Sequence, residues 1–373
     1  MLFLKALSVF LGTVIGVGMF GLPFVALKAG FLITALYFLF MCFIVILAHY
    51  LYGEVVLNTK EKHRLPGYAQ KYLGEAWKKF AFVVMIIGLT GALLAYLVIG
   101  GQFLNALFSS YLGGSPVLYT FIFFAFGAYL VFRGIKSISE VELSLLIVLF
   151  IILTVFLIKA FPFINVEYFK EVNLKHLTFP YGVILFSLWG STMVPEIKEM
   201  FALKTREVRK DLKRVIFWGV LIAAAVYLSF IFIVLGVSGP NTSEEAMSGF
   251  SQAVGGNIIK LGFLFGVISC FTSFITVALA LKKIFWYDFG FSKDLAWVLT
   301  CFLPLILFLL GLREFIGIIS FTGAIALGFE GIIIIFLYKE FLKKKFSRKM
   351  NPGLYLLFAV FILGIVFEVI YFF

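Results

Sequence analysis

The sequence predicts an all-α polytopic membrane protein, built as a 5+5 inverted repeat with an eleventh transmembrane helix. Three observations lead there. The 373-residue chain is 63% hydrophobic and 13% charged, against roughly 45–50% and about 25% for soluble domains. Its apolar residues are gathered in runs of about 20, the length of helix that crosses a hydrocarbon core, and a helix satisfies its own backbone hydrogen bonds where lipid cannot. Two of the runs, five spans apart, are interrupted near their centres by Gly, Ser and Pro, the pattern of inverted-topology repeats.

The spans run near 4–26, 31–57, 80–111, 116–132, 141–161, 179–202, 214–238, 258–281, 295–311, 314–338 and 352–372. Connections are short, so the chain reads as one transmembrane domain over 1–373. Repeat one covers about 1–161, repeat two about 179–338 and the extra helix about 352–372. The first run lacks the basic start and small-residue cleavage site of a signal peptide and is read as a retained span. The 49 Phe residues suit lipid-facing surfaces. Cys42, Cys270 and Cys301 sit in apolar runs without metal-ligand or disulfide spacing and read as small packed residues.

Charge sets the orientation. With the N-terminus cytoplasmic, 25 of the 31 Lys and Arg residues fall inside, mainly in the stretches Lys60–Lys79, Lys198–Arg214 and Lys339–Lys349. Only Lys28, Lys159, Lys170, Lys175, Lys260 and Arg313 fall outside. This is the positive-inside bias of a cell (inner) membrane protein, with the C-terminus external. The net charge of +12 is therefore a topology signal and makes no case for nucleic acid.

Span 1 contains Gly12-Thr13-Val14-Ile15-Gly16-Val17-Gly18-Met19-Phe20-Gly21-Leu22-Pro23. Gly costs about 1 kcal/mol and Pro about 3 kcal/mol relative to Ala in a helix interior, so continuous helix is weakened here. Close helix packing through small residues is the competing reading. Span 6 contains Phe186-Ser187-Leu188-Trp189-Gly190-Ser191-Thr192-Met193-Val194-Pro195-Glu196, and the matched position of this second interruption favours true breaks. Half-helix N-termini then offer N–H donors to a carboxylate, and half-helix C-termini offer carbonyls to a cation or ammonium. A zwitterionic amino acid carries both groups. No Asp, Glu, Lys or Arg lies between Gly12 and Pro23 or between Phe186 and Pro195, which favours a neutral side chain.

Four motifs, in order, carry a family resemblance: Gly12–Pro23; Ala95-Tyr96-Leu97-Val98-Ile99-Gly100-Gly101-Gln102; Trp189-Gly190-Ser191 followed by Pro195; and Thr272-Ser273-Phe274 followed by Trp286-Tyr287-Asp288-Phe289. Spans 1 to 10 resemble the amino acid/auxin permease and aromatic/hydroxy amino acid permease families. These belong to the amino acid–polyamine–organocation superfamily and share the LeuT-type fold; span 11 matches only in number. The resemblance implies an ion-coupled symporter working by alternating access on neutral amino acids, with aromatic or large aliphatic ones plausible. It implies that the N–H groups of Val17 and Gly18 hold the substrate carboxylate and that carbonyls near Val14, Phe186 and Ser187 hold the ammonium. Tyr96 would offer its hydroxyl to the carboxylate or pack as an ordinary tyrosine. Trp189 would wall the substrate or serve as helix-packing bulk.

The same resemblance implies a sodium site at the carbonyls of Gly12 and Ile15 and the hydroxyls of Thr272 and Ser273, an oxygen set suited to a hard cation. The alternative is that the two hydroxyls bond back to their own helix. The coupling ion is Na+ or H+, and no other cofactor is implied. Ionisable groups within spans are functional candidates by default: Glu330 and Glu196 first for proton coupling, then His49, Glu54 and Glu368. Glu54 and Glu196 lie toward the cytoplasmic ends, where a gate or interface pairing competes with proton carriage. Glu368 is expected to reach the headgroups. Some proton-coupled relatives use a lysine in mid-span 5; here Lys159 lies near the outer end, which departs from that pattern. A non-transporting amino acid receptor and a channel are the rival classes. No His-Glu-x-x-His, Gly-x-Ser-x-Gly or phosphate-loop motif supports an enzyme. The outer loop 239–257 reads as a lid or a solvated connector.

Overall fold

The computed structural model describes residues 2–134, 138–201, 207–254 and 257–372. Its helices are α1 (Leu2–Val14), α2 (Gly18–Ala29), α3 (Phe31–Leu57), α4 (Leu65–Leu73), α5 (Glu75–Leu112), α6 (Pro116–Arg133), α7 (Ile138–Ala160) and α8 (Pro180–Leu188). They continue as α9 (Met193–Phe201), α10 (Val208–Ser238), α11 (Met247–Val254), α12 (Asn257–Lys283), α13 (Lys293–Leu309), α14 (Phe315–Phe321), α15 (Gly328–Phe346) and α16 (Leu354–Phe372). Eight described segments are long and apolar enough to cross a membrane, and α1 with α2, bent by 55°, makes a ninth. The 17-residue α13 and the pair α8–α9 fill the two remaining predicted positions.

Both interruptions are real breaks. Ile15 N–H still bonds Leu11 O at 2.7 Å, Gly16 N–H then closes on Val14 O at 2.9 Å, and the ladder restarts only at Met19 and Phe20. Gly16 is required by close approach, because a Cβ there would overlap the Tyr96 hydroxyl. In span 6, Trp189 turns extended (φ −79°, ψ 125°) and ends α8. Pro195 falls in the first turn of α9, where its missing N–H has no intrahelical partner to lose.

The broken helices occupy the middle of the bundle. α1 packs against α7, α10 and α12, and α2 against α8 and α10. α8 also packs on α3 and on a π-helical stretch, Thr322–Leu327, that joins α14 to α15. A second π-helical stretch, Ile284–Asp288, ends span 8. Such turns leave carbonyls out of register, and neither was read from the sequence. Leu39, Phe43, Phe126 and Leu356 are among the exposed apolar side chains of the perimeter, as expected for surfaces in lipid.

Two expectations need correction. Glu368 does not reach outward: α16 turns Phe361, Gly364 and Glu368 toward the bundle at helical spacing. Gly364 lies on Tyr181, Phe361 lies on Gly331, and Glu368 is 7% exposed beside Ser320. The described part of loop 239–257 is not a solvated connector. It folds as α11, buries Ala246, Met247 and Phe250, and packs on α10 and α12; residues 255–256 lie outside the described set.

Glycines set the closest approaches. A Cβ on Gly101 of α5 would come 2.8 Å from the Thr120 Cα of α6, so only backbone movement would admit it. Gly101→Leu is expected to lower the stability of the detergent-solubilised protein by about 1–3 kcal/mol, read by thermal unfolding. Gly88→Ala, whose Cβ would meet Ala326 at an ordinary 3.4 Å, should stay within about 0.5 kcal/mol.

Candidate functional site

A helix interrupted in mid-membrane strands the N–H and C=O groups that would have bonded across the gap. Side chains from four other spans answer them. From α12, Ser273 donates to Gly12 O at 2.7 Å and Ser269 donates to Ile15 O at 3.1 Å. From α5, the Tyr96 hydroxyl faces the Val17 N–H and the Ser273 hydroxyl. From α10, the Tyr227 hydroxyl lies 2.5 Å from Val14 O and 2.9 Å from Ser187 O. From α3, His49 Nε2 accepts the Gly190 N–H at 3.0 Å, while Nδ1 sits 2.7 Å from Val45 O. An Nε2 that accepts leaves the proton on Nδ1, so this arrangement requires a neutral ring.

Most of the predicted site residues converge here. Gly12, Val14, Ile15, Val17, Gly18, Tyr96, Ser187 and Ser273 lie at or against the span-1 break. A Cβ on Gly18 would overlap Ser187 Oγ and come 3.1 Å from Phe186, so the start of α2 abuts the end of α8. Phe186 is half-buried between Gly18 and Gly323. Trp189 is turned toward spans 2 and 11, with its ring 4.9 Å from His49 and 6.0 Å from Phe361. Thr272 bonds back to Ile268 O and Ser269 O, both at 3.1 Å, the alternative its sequence left open.

Two hydroxyls at this centre were missed. Ser269 stands one helical turn before Ser273, and that i, i+4 spacing was a usable signal. Tyr227 gave none, since a tyrosine in an apolar run looks like any other. Beside Gly12, Ile15, Ser269 and Thr272 lies a cavity of about 10 Å³, room for about one water or a small cation. The larger grooves, about 520 Å³ between α5, α13 and α14 and about 610 Å³ beside Tyr50 and Phe217, hold none of these groups.

The carboxylates divide into two kinds. Glu330 is 3% exposed, and its carboxyl accepts from Ser191 in the span-6 break. No ion pair to it is present among the described residues. A second cavity of about 10 Å³ lies between Glu330, Ser191, Thr192, Tyr52 and Arg64. Glu196, one turn further along α9, is held at 2.6 Å by both Arg64 and Lys283. Glu54 is paired with Arg209 and Lys213.

Arg64 is the hub of the face that carries most of the basic residues. Its guanidinium also bonds Glu199 at 3.2 Å and lies over the Tyr287 ring. Burial opposes its charge, but Glu196 and Glu199 outweigh that and hold its pKa above the ordinary arginine value. Asp288, with a fully buried side chain, faces the Arg64 N–H at 3.4 Å and His63 at 3.6 Å. Lys198, Lys344 and Lys345 tie α9 and α15 to the carbonyls of Thr59, Tyr72 and Asn58. These contacts fasten α4, α9, the end of α12 and α15 to one another.

Comparison with known proteins places these features in a group. The family model of tryptophan/tyrosine permeases matches residues 2–371. Glutamine transporter 2 of Aliivibrio fischeri is 24% identical over 92% of this chain and 90% of its own length. Tyrosine-specific transport system 1 of Haemophilus influenzae is 24% identical over 73% of this chain and 70% of its own. Among solved structures, a mutant manganese transporter of Eremococcus coleocola superposes with a TM-score of 0.73 at 12% identity, covering 98% of this chain and 86% of that one. MhsT in complex with L-phenylalanine gives 0.69 at 15% identity, covering 99% and 97%. A nucleobase-cation-symport-1 family transporter, closed with bromovinylhydantoin bound, gives 0.70 at 11% identity, covering 98% and 91%. These likenesses establish the LeuT-type fold.

Two substitutions probe the site. Gly18→Val forces the half-helices apart and should cut uptake by about tenfold or more, an overpacking cost of ~1–3 kcal/mol falling on the site, while membrane insertion stays at the wild-type level. Arg64→Ala leaves Glu196 to Lys283 and Glu199 to Lys62, a loss of about 1.5–3 kcal/mol, the scale of a hydrogen bond to a charged group. It should open the basic face, read as faster thiol labelling of a cysteine placed at Thr192.

Proposed function

The chain belongs to the tryptophan/tyrosine permease family, and from that premise we propose that it is a proton-coupled symporter that carries a neutral amino acid across the cell membrane by alternating access. It is a transport protein and not an enzyme, as the family and both curated relatives are permeases or transporters. The observation that carries the reading is the abutment of two broken helices whose backbone groups, released from the helical ladder at the breaks, are of opposite polarity. The N–H groups of Val17 and Gly18 take the substrate carboxylate at the positive end of α2. The carbonyls of Val14, Phe186 and Ser187 take the ammonium at the negative ends of α1 and α8. L-Tryptophan, L-tyrosine and L-glutamine are the first substrates to try, given the family and the relatives' names.

The basic face is assigned to the cytoplasm of an inner membrane, with the N-terminus inside and the C-terminus outside. Spans 1, 2, 6 and 7 rock against spans 3, 4, 8 and 9. The Arg64 network is the inner gate in this reading, because it joins α9 of the moving bundle to the end of span 8.

Glu330 is assigned the proton. Its anion would sit in a low-dielectric interior beside a hydroxyl, with no cation paired to it among the described residues, whereas Glu196 is paired with two cations. The charged and titratable groups around Glu330 are Arg64 and Tyr52 across the small cavity and His49 on the neighbouring residue of the break. Because Glu330 grips Ser191 directly, gain or loss of its proton alters the restraint on span 6. A sodium reading is also favoured by one observation, the small cavity lined by Gly12, Ile15, Ser269 and Thr272, with the Ser273 hydroxyl on Gly12 O and the Ser269 hydroxyl on Ile15 O.

Uptake of the three labelled amino acids into proteoliposomes, with proton and sodium gradients imposed separately, tests this. Concentrative uptake driven by the proton gradient is expected. In Glu330→Gln that uptake should fall by about tenfold or more while substrate counterflow persists, as removal of a positioned proton-transfer group typically costs about 10²-fold or more. Uptake driven by sodium alone would move the assignment to Gly12, Ile15, Thr272 and Ser273. Saturable binding with no uptake under either gradient would sink the symporter reading.

A further inference from the structure

The carbonyls assigned above to the substrate's ammonium are already engaged by the protein itself. Tyr227 lies in α10, is 0% exposed, and rests its ring near Phe38 of α3. Its hydroxyl meets Val14 O, on the last residue of α1, and Ser187 O, in the last turn of α8. A phenol has one proton to donate, yet two acceptors converge on it; Val14 O takes a second donor, the Gly16 N–H at 2.9 Å. Each is also the carbonyl end of a helix dipole and carries partial negative charge. Two converging negative helix ends suit a cation with several donors, and a neutral hydroxyl undersupplies them. A primary ammonium brings three donors and a full charge to the same point.

We propose that Tyr227 is a stand-in for the substrate's α-ammonium: its hydroxyl ties the carbonyls of Val14 and Ser187 together in the substrate-free protein, and an amino acid displaces it on binding. The inference rests on the symporter reading and gives Tyr227 a positioning role within it. The hydroxyl shares its one proton between two buried carbonyls while no substrate is present, which holds the half-helices of spans 1 and 6 in register. It therefore competes with the substrate and weakens its binding. It also sharpens selection for the amino group. A ligand without an ammonium leaves the hydroxyl in place and gains nothing from the two carbonyls.

Tyr227→Phe removes the oxygen and keeps the ring. The amino acid among L-tryptophan, L-tyrosine and L-glutamine that binds the wild-type protein should bind the variant about tenfold more tightly, the scale of one buried hydrogen bond no longer lost on binding. Its desamino analogue should bind both proteins alike. The substrate-free variant should unfold at lower temperature, and added amino acid should raise its unfolding temperature by more than it raises that of the wild type. A hydroxyl that simply ligates the substrate would give weaker binding in the variant, and a purely structural one would leave affinity unchanged; either result overturns the stand-in while leaving the symporter reading intact. A wild-type protein that binds none of the three overturns that reading and this inference with it. Should the variant not be recovered folded, 3-fluorotyrosine at position 227 alone preserves the hydroxyl. Its ¹⁹F resonance should move on saturation with the bound amino acid, and an unmoved resonance overturns the proposal.

Discussion

Everything at the centre of this protein follows from one constraint: backbone polar groups exposed inside a membrane must find partners within the protein. An unsatisfied group there costs several kcal/mol, so a helix can be broken at mid-membrane only if other elements supply what the helix gave up. Here the partners come from α3, α5, α10 and α12. His49 answers the Gly190 N–H, Tyr96 the Val17 N–H, Tyr227 the Val14 and Ser187 carbonyls, and Ser269 and Ser273 the carbonyls of Ile15 and Gly12. The contacts of Ser269 and Ser273 cross both between the two repeats and between the sets of spans assigned to move against each other, and that of Tyr96 crosses between the sets. His49 belongs to the first repeat and binds the second, but its contact, like those of Tyr227, stays within the set of spans 1, 2, 6 and 7. The assigned substrate site and the linkage of the bundle thus share the same hydrogen bonds.

Much of this was legible in the sequence because it is written in periodicity and composition. Apolar runs placed most spans closely, as in α3, whose bounds of Phe31–Leu57 match the predicted 31–57, whereas α10 begins at Val208 before the predicted 214 and α15 runs to Phe346 past the predicted 338. The Gly and Pro clusters placed both breaks. Polar partners between helices were far less legible. Tyr227, His49 and Ser269 are separated from their targets by 213, 141 and 254 positions, and one sequence carries no signal of such pairing. Glu368 shows the same limit from the other side. Its place toward the end of an apolar run was readable, but which face of α16 it occupies depends on the packing of Phe361 and Gly364. The interfacial helix α4 and the two π-helical stretches were missed for a related reason: each is too short to show a period of its own.

The contrast between Glu196 and Glu330 shows how placement decides what a carboxylate can do. Both stand beside the same broken helix. Glu196 lies between two cations, and that arrangement stabilises the anion while fastening α9 to the loop before α4 and to the end of α12. An ion pair so arranged suits a latch, because separating it exposes charges that water must re-solvate. Glu330 has instead a hydroxyl and a water-sized space beside it, so its charge state is free to change without breaking a salt bridge. Only that small cavity separates the two carboxylates' surroundings, and Arg64 lines it.

This proximity bears on how the groups assigned to the inner gate and to the proton would act together. Glu330 and Arg64 line the same small cavity, so an anion on Glu330 would attract the guanidinium that also holds Glu196 and Glu199. One cation thus stands between the two carboxylate sites, and a change of charge at one alters the hold on the other. The span-6 break is the shared mechanical element: Ser191 is held by Glu330, Gly190 by His49 and Ser187 by Tyr227, while Glu196 locks the helix that follows. A change at any of these points acts on the same few residues of unwound chain, so the groups assigned to substrate, proton and gate need no long pathway to sense one another.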